Sequence, residues 1–168
     1  TRRSSFSRPV VPATPDFCGA VPGERVIAAV DAERSEVVVD GWRTKTGVQV
    51  IDRVRELAPL VAGFLFTQVD REGAMAGFEF AAVERVVDAA SLDGARVTAA
   101  GGITSATDIA ALDRIGADAQ VGMALYTGKL LLGDAIAAPL VRPLPGDLWP
   151  TVVCDDAGRT LGLVWSTR

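Results

Sequence analysis

The sequence predicts an α/β fold of about four βα units with parallel strands, followed by a C-terminal β-hairpin. Three observations carry this expectation. Apolar runs of about five residues alternate with amphipathic stretches of about twelve, the texture of strands joined by right-handed helical crossovers. Runs beginning near Val26, Phe64, Arg96 and Ala119 place four such units in about 115 residues, where a closed (βα)8 barrel takes about 250. The chain of 168 residues therefore offers half of a (βα)8 barrel or a small open sheet. Its tail, "LWPTVVCDDAGRTLGLVWSTR", is different: two apolar runs flank a turn-forming centre, which is a hairpin pattern.

The elements follow in order. Residues 1–22 hold four prolines and an early arginine cluster and sustain no period of either helix or strand, so they read as an irregular arm. Residues 23–142 carry the βα units. "RVIAAV" is a short buried strand ending at Asp31, and "EVVVDGW" is a second, closed by Asp40 and Gly41. In "VIDRVRELAPLVA" the residues Val50, Ile51, Val54, Leu57, Leu60 and Val61 recur at helical spacing with charges between them, which makes an amphipathic helix. "GFLFTQV" is a strand, "DREGAMAG" a polar loop and "FEFAAVERVVDAA" a second amphipathic helix. The unit repeats with strand "RVTAA", a helix capped by Ser105 and closed by Gly116, and a strand within "ADAQVGMAL". A last helical stretch, "KLLLGDAIAAPL", runs into the boundary-like "RPLPGD". Residues 143–168 then read as a linker and hairpin, the opening of a second domain.

Composition narrows the function classes. Apolar residues make up 49% of the chain, yet none of its apolar stretches reaches the roughly 18 residues of a membrane span, and a soluble, cytoplasmic protein is expected. A formal charge of −4 with interspersed signs gives no basic stripe for nucleic acid; one small phosphorylated ligand stays compatible. Cys18 and Cys154 stand far apart with no histidine anywhere in the chain, so neither a zinc site nor a disulfide framework is implied. Without histidine, acid–base chemistry falls to carboxylates, helped by hydroxyls, lysines or the single tyrosine.

Ligands of parallel α/β sheets sit at the carboxyl ends of the strands, and those ends are Asp31, Thr67, Gly101-Gly102 and Gly122-Met123. A strand ending in two glycines before a Ser- or Thr-capped helix lets backbone N–H groups approach an anion. Gly101, Gly102 and Gly122 would form such a phosphate cradle; alternatively they serve tight turns alone. Asp31 closes an apolar strand, where a carboxylate is costly unless paired or used; it is either a proton donor or a loop cap. Thr67 either donates to a substrate oxygen or bonds its local backbone. Trp42 stacks on a planar ligand or packs against the fold.

In combination, "AAVDAERSEVVVDGWRTKTG", "FLFTQVDREGAMAG", "VTAAGGITSATDIAAL" and "AQVGMALYTGKL" resemble, in order and spacing, the C-terminal half of the phosphoribosyl isomerases of histidine biosynthesis. Those enzymes are barrels of two similar halves. The cyclase subunit of imidazole glycerol phosphate synthase shares the pattern, but Gly41-Trp42 favours the isomerase. The resemblance implies an Amadori rearrangement of a phosphorylated ribosyl-aminoimidazole, aminoaldose to aminoketose, with no metal or cofactor. It makes Asp31 the general acid, Thr67 a substrate-contacting hydroxyl and Trp42 a loop aromatic covering the substrate. Gly101, Gly102, Gly122 and the neighbouring Met123 would bind one of two substrate phosphates.

The sequence also departs from that pattern. Glu72-Gly73-Ala74 stands where the family usually has Asp-Gly-Thr, and Gly122-Met123 where it has Gly-Arg. The general base and other phosphate site belong to a first half-barrel that this sequence does not contain. Pairing with such a half, or self-association, is expected, because half-barrels leave open edges and an exposed apolar face. The chain alone should turn over poorly, and the alternatives are a non-catalytic sugar-phosphate-binding or assembly module and the related cyclase. The tail resembles the opening strands of phosphoribosyl-AMP cyclohydrolase, or is an appended hairpin covering a sheet edge.

Overall fold

The structure, a computed structural model, describes residues 22–73, 77–140 and 148–167. The expected arm, apart from Pro22, and the proline-glycine stretch 142–147 lie outside the described residues. The chain divides into two compact units, Thr1–Ala138 and Pro139–Arg168.

In the first unit, strands β1 (Ile27–Glu33), β2 (Glu36–Val39), β3 (Thr44–Gln49), β4 (Gly63–Gln68), β5 (Arg96–Ala100) and β6 (Ala117–Gln120) make one sheet in the order β3-β2-β1-β4-β5-β6. Four of them, β1, β4, β5 and β6, run parallel. Between them lie helices α1 (Val50–Leu57), α2 (Phe80–Ser91) and α3 (Ala106–Arg114); short helices α4 (Met123–Tyr126) and α5 (Leu132–Ala137) follow β6. The α/β architecture with a mostly parallel sheet is as expected, and the sheet is open rather than closed. Among the described residues no helix is long and apolar enough to cross a membrane.

The longer helices α1, α2 and α3 form where the apolar period is 3.6. Val50, Val54 and Leu57 of α1 are buried, and the α-helix stops short of the expected segment because Ala58–Leu60, with Pro59, tightens into a 3-10 turn. Ser105 caps α3 as expected, in a reciprocal capping box with Asp108. The terminal helical stretch is shorter than its apolar pattern, α5 starting only at Leu132.

Sheet order follows chain order from β1 through β4 and β5 to β6, so each right-handed crossover returns its helix to the same side. Burial records this. Ala28, Val30 and Ala32, Phe64 and Phe66, Val97 and Ala99, and Ala117 point one way, into a single core with Val54, Leu57, Val83, Val86, Ile109 and Leu112 of the helices. The alternate positions face away from that core: Ile27 is 70% exposed, and Ala29, Arg96, Asp118 and Gln120 are exposed too. Across β5 and β6, Arg96 and Asp118 join in an exposed ion pair at 2.8 Å.

Strand β3 is not expected from the sequence. Its residues, TKTGVQ, are almost all exposed, and a polar edge strand has no alternation to betray it. It forms by contacts with its antiparallel neighbour β2: Thr46 Oγ1 donates to the Val37 carbonyl, and the Gly47 N–H donates to the Glu36 carboxylate, both at 2.8 Å. The β2–β3 pair meets β1 only at Ala32 and Glu33. Among the described residues, Ile27–Asp31 of β1 therefore pair with β4 alone, and the outer side of β6 is unpaired.

The second unit contains the expected hairpin, β7 (Leu148–Cys154) antiparallel to β8 (Thr160–Thr167). Its turn is organised by Asp155. One carboxylate oxygen accepts from the N–H groups of Ala157 and Arg159 at 3.0 and 2.9 Å, and the other from Arg159 Nε at 2.7 Å. The Arg159 N–H, then its guanidinium, then the Ala157 N–H outweigh partial desolvation and hold the Asp155 carboxyl below the usual carboxylate range. A depressed folded-state value means that the turn's stabilisation is complete above the unfolded carboxyl pKa of about 3.9 and is lost as pH falls through the lower folded value. We expect the Ala157 and Arg159 amide resonances to titrate together below about pH 4. Asp155→Ala should leave both at their acid-limit positions throughout.

Candidate active site

The carboxyl ends of the four parallel strands fall in one row. Register pairs Asp31 with Thr67, Thr67 with Ala100, and Ala100 with Gln120. Registered neighbours in a sheet share a face, so Asp31 and Thr67 project from the side opposite the helix-packed core. Thr67 is buried and Asp31 half-buried. Two strand spacings, about 10 Å, separate the Asp31 backbone from the β5 end where the glycines begin.

Asp31 and Trp42 meet. The indole Nε1–H donates to Asp31 Oδ2 at 2.8 Å, and among the described residues no hydrogen bond takes the other carboxylate oxygen. Trp42 reaches that position through three successive left-handed residues, Asp40 (φ 56°), Gly41 (φ 66°) and Trp42 itself (φ 71°). A tryptophan at positive φ is strained. Its side chain is 47% exposed, so the hydrogen bond, not burial in the core, is what the turn presents it for.

The two glycines at the end of β5 do more than turn the chain. Gly101 (φ 92°) rests against the backbone of Gln68, where a Cβ would stand 2.6 Å from the Gln68 carbonyl oxygen. Gly102 (φ 82°) rests against the other end of the β4–α2 loop, where a Cβ would stand 2.5 Å from the Gly77 oxygen and 3.1 Å from Arg71 Cβ. Both positions therefore need glycine for conformation and for space. Gly122 differs, since its Cβ position is open.

Gly101, Gly102, Gly122 and Met123 do come together, lining one open cleft with Thr104 and Glu72. Its charged lining, among the described residues, is Glu72 alone; Ala74 of the same departure lies outside them. Met123 sits half exposed at the start of α4. The capping box alters the donor supply expected at α3. Asp108 Oδ2 takes the N–H groups of Thr104 and Ser105 at 3.0 and 2.9 Å, so an anion in the cleft has the glycine and α4 amides to work with. No cluster of three metal-ligating side chains gathers among the described residues.

Gln68 is a further residue beside the cleft that no motif in the sequence singles out. It is 4% exposed, and its side-chain amide pairs with the backbone of Glu79 in both directions: Nε2 donates to the Glu79 carbonyl at 2.8 Å, and Oε1 accepts the Glu79 N–H at 2.7 Å. The available signal was a polar amide inside the apolar run "GFLFTQV".

Comparison with known proteins gives the family of the chain. The family described as "Histidine biosynthesis protein" matches residues 12–131. The chain belongs to that family. Members it is similar to include the 1-(5-phosphoribosyl)-5-(5-phosphoribosylamino)methylideneamino imidazole-4-carboxamide isomerase of Halobacterium salinarum, 39% identical over 130 residues, covering 74% of this chain and 52% of the relative. The isomerase of the same name from Haloquadratum walsbyi is 43% identical over 123 residues, 72% of this chain and 49% of the relative. That from Methanocorpusculum labreanum is 38% identical over 117 residues, 68% and 48%. This histidine biosynthesis family chain thus spans about half the length of the curated relatives it matches.

The glycine contacts are directly testable. Gly101→Ala should cost about 1–3 kcal/mol in urea unfolding from strain alone. Gly133→Ala, in α5 with open space at its Cβ, should be neutral or stabilising by up to about 1 kcal/mol.

Proposed function

We propose that the chain supplies the C-terminal half-barrel, residues 23–142, of a phosphoribosyl isomerase of histidine biosynthesis, between an arm (1–22) and a linker and hairpin (143–168). The observation that carries this reading is the row Asp31–Thr67–Ala100–Gln120 at the carboxyl ends of four consecutive parallel strands. It puts the carboxylate, the hydroxyl and the glycine cleft where parallel βα units bind ligands, in a chain whose relatives are named as isomerases.

The reaction is an internal proton shift. Breaking the sugar ring's C1–O bond requires a proton on the ring oxygen, which the Asp31 carboxyl group donates from the oxygen not held by Trp42. Removal of the C2 proton from the resulting open-chain iminium gives an enaminol, and protonation at C1 with loss of the C2 hydroxyl proton yields the aminoketose. The base for that step comes from the other half of the barrel. Thr67 orients the substrate, Trp42 covers it, and the amides around Gly101, Gly102, Gly122 and Met123 cradle one phosphate. No redox step or cofactor enters.

The half-barrel reading is supported by one-directional winding, which covers one sheet face with helices, and by the sides of Ile27–Asp31 and β6 that are unpaired among the described residues. Four further βα units with the same strand polarity fit both edges at once, and such units match the remaining length of the relatives. In sedimentation the chain should self-associate when alone and become a defined complex when that half is supplied. A monodisperse monomer indifferent to it would count against the reading.

Turnover is tested by adding the phosphorylated aminoaldose to the reconstituted pair and following aminoketose formation. Asp31→Asn keeps size and the acceptor for Trp42 but carries no acid proton, so turnover should fall by about 100-fold or more. Undiminished turnover would remove Asp31 from its role. The chain's half-length match favours one second reading, a module that binds sugar phosphate without turnover, recognised by binding in the absence of product.

A further inference from the structure

We propose that Gln68 is the positioning residue of the glycine cleft, acting through the β4–α2 loop. The inference rests on the proposed phosphate cradle. Gln68 is the last residue of β4 and Glu79 immediately precedes α2, so their paired hydrogen bonds at 2.7 and 2.8 Å close the loop at its base. A primary amide carries donor and acceptor on separate atoms, so one side chain reaches both the Glu79 N–H and the Glu79 carbonyl. Asparagine is a methylene too short, and glutamate offers no donor when ionised.

The closed loop bears on the glycines from both ends. Gly101 lies on the Gln68 backbone itself, while Gly102 lies on Gly77 and Arg71. Gln68 and Gly77 press on the two glycines with backbone atoms and Arg71 with its Cβ, so the position of these described loop residues bears on where the Gly101 and Gly102 amides point. The same loop places Glu72 in the cleft. Gln68 is too buried to touch a ligand, and its influence passes through Glu79 and the loop.

The test uses the whole chain with inorganic phosphate as probe, titrated while the Gly101 and Gly102 amide resonances are followed. Gln68→Met removes both hydrogen bonds at similar volume; Glu79→Pro deletes the same N–H from the other side and leaves Gln68 in place. Each should weaken phosphate binding about tenfold. The double variant should lose little more than either one, because both act on a single linkage. If Gln68→Met does not fold, Glu79→Pro decides alone. Affinity equal to wild type in a folded variant would reduce Gln68 to a structural role, and additive losses would refute action through Glu79. If phosphate moves neither glycine amide in the wild type, the cradle is wrong and this inference falls with it. Binding that is present but indifferent to the variants overturns this inference only.

Discussion

A right-twisted strand followed by a helix returns to its sheet on one side only, and in this chain β1, β4, β5 and β6 never reverse their direction of advance. The helices therefore have no choice of face. Reversal of strand order is what lets a doubly wound sheet cover both faces; without it, one face gathers the whole core and the other is left with Ile27, Ala29, Thr98 and Gln120. Among the described residues, the face left without helices follows from that single constraint.

Alignment matters most for the site. Because the strands are parallel and in step, a chain that places Asp31, Thr67 and the glycines each at a strand end has placed them in one row, although they are far apart in sequence. Short-range constraints then refine the row. Trp42, presented by three left-handed residues, takes hold of one oxygen of Asp31. The absence of a Cβ at two positions lets the β4–α2 loop settle onto the end of β5, and Gln68 closes that loop. The cleft owes its shape to backbone packing and its charge to Glu72.

That charge gives the cleft a particular electrostatic character. A dianion entering it meets backbone dipoles and a carboxylate, with Asp108 already occupying the N–H groups of Thr104 and Ser105. Donors in this cleft are fixed amides, whose strength depends on orientation more than on net charge.

What could be read from the sequence was whatever obeys rules local to the chain: the 3.6 period of α1, α2 and α3, the compact apolar runs of the strands, the Ser105 cap, the turn at DDAGRT, and the residues standing at strand ends. Together with the motif order they pointed to the family and to a partial barrel's worth of βα units. What needed the tertiary structure was each contact whose partner the local pattern does not name. Strand β3 exists because β2 offers it a ladder, and its polar residues show no period of their own. Gln68 and Glu79, like Asp31 and Trp42, are eleven residues apart, and only the paths of the intervening turns bring them together. The two glycines were legible as a place where the chain must bend; that they bend because another loop's backbone lies within 2.6 Å of where a Cβ would stand is a fact of packing, which no residue carries by itself.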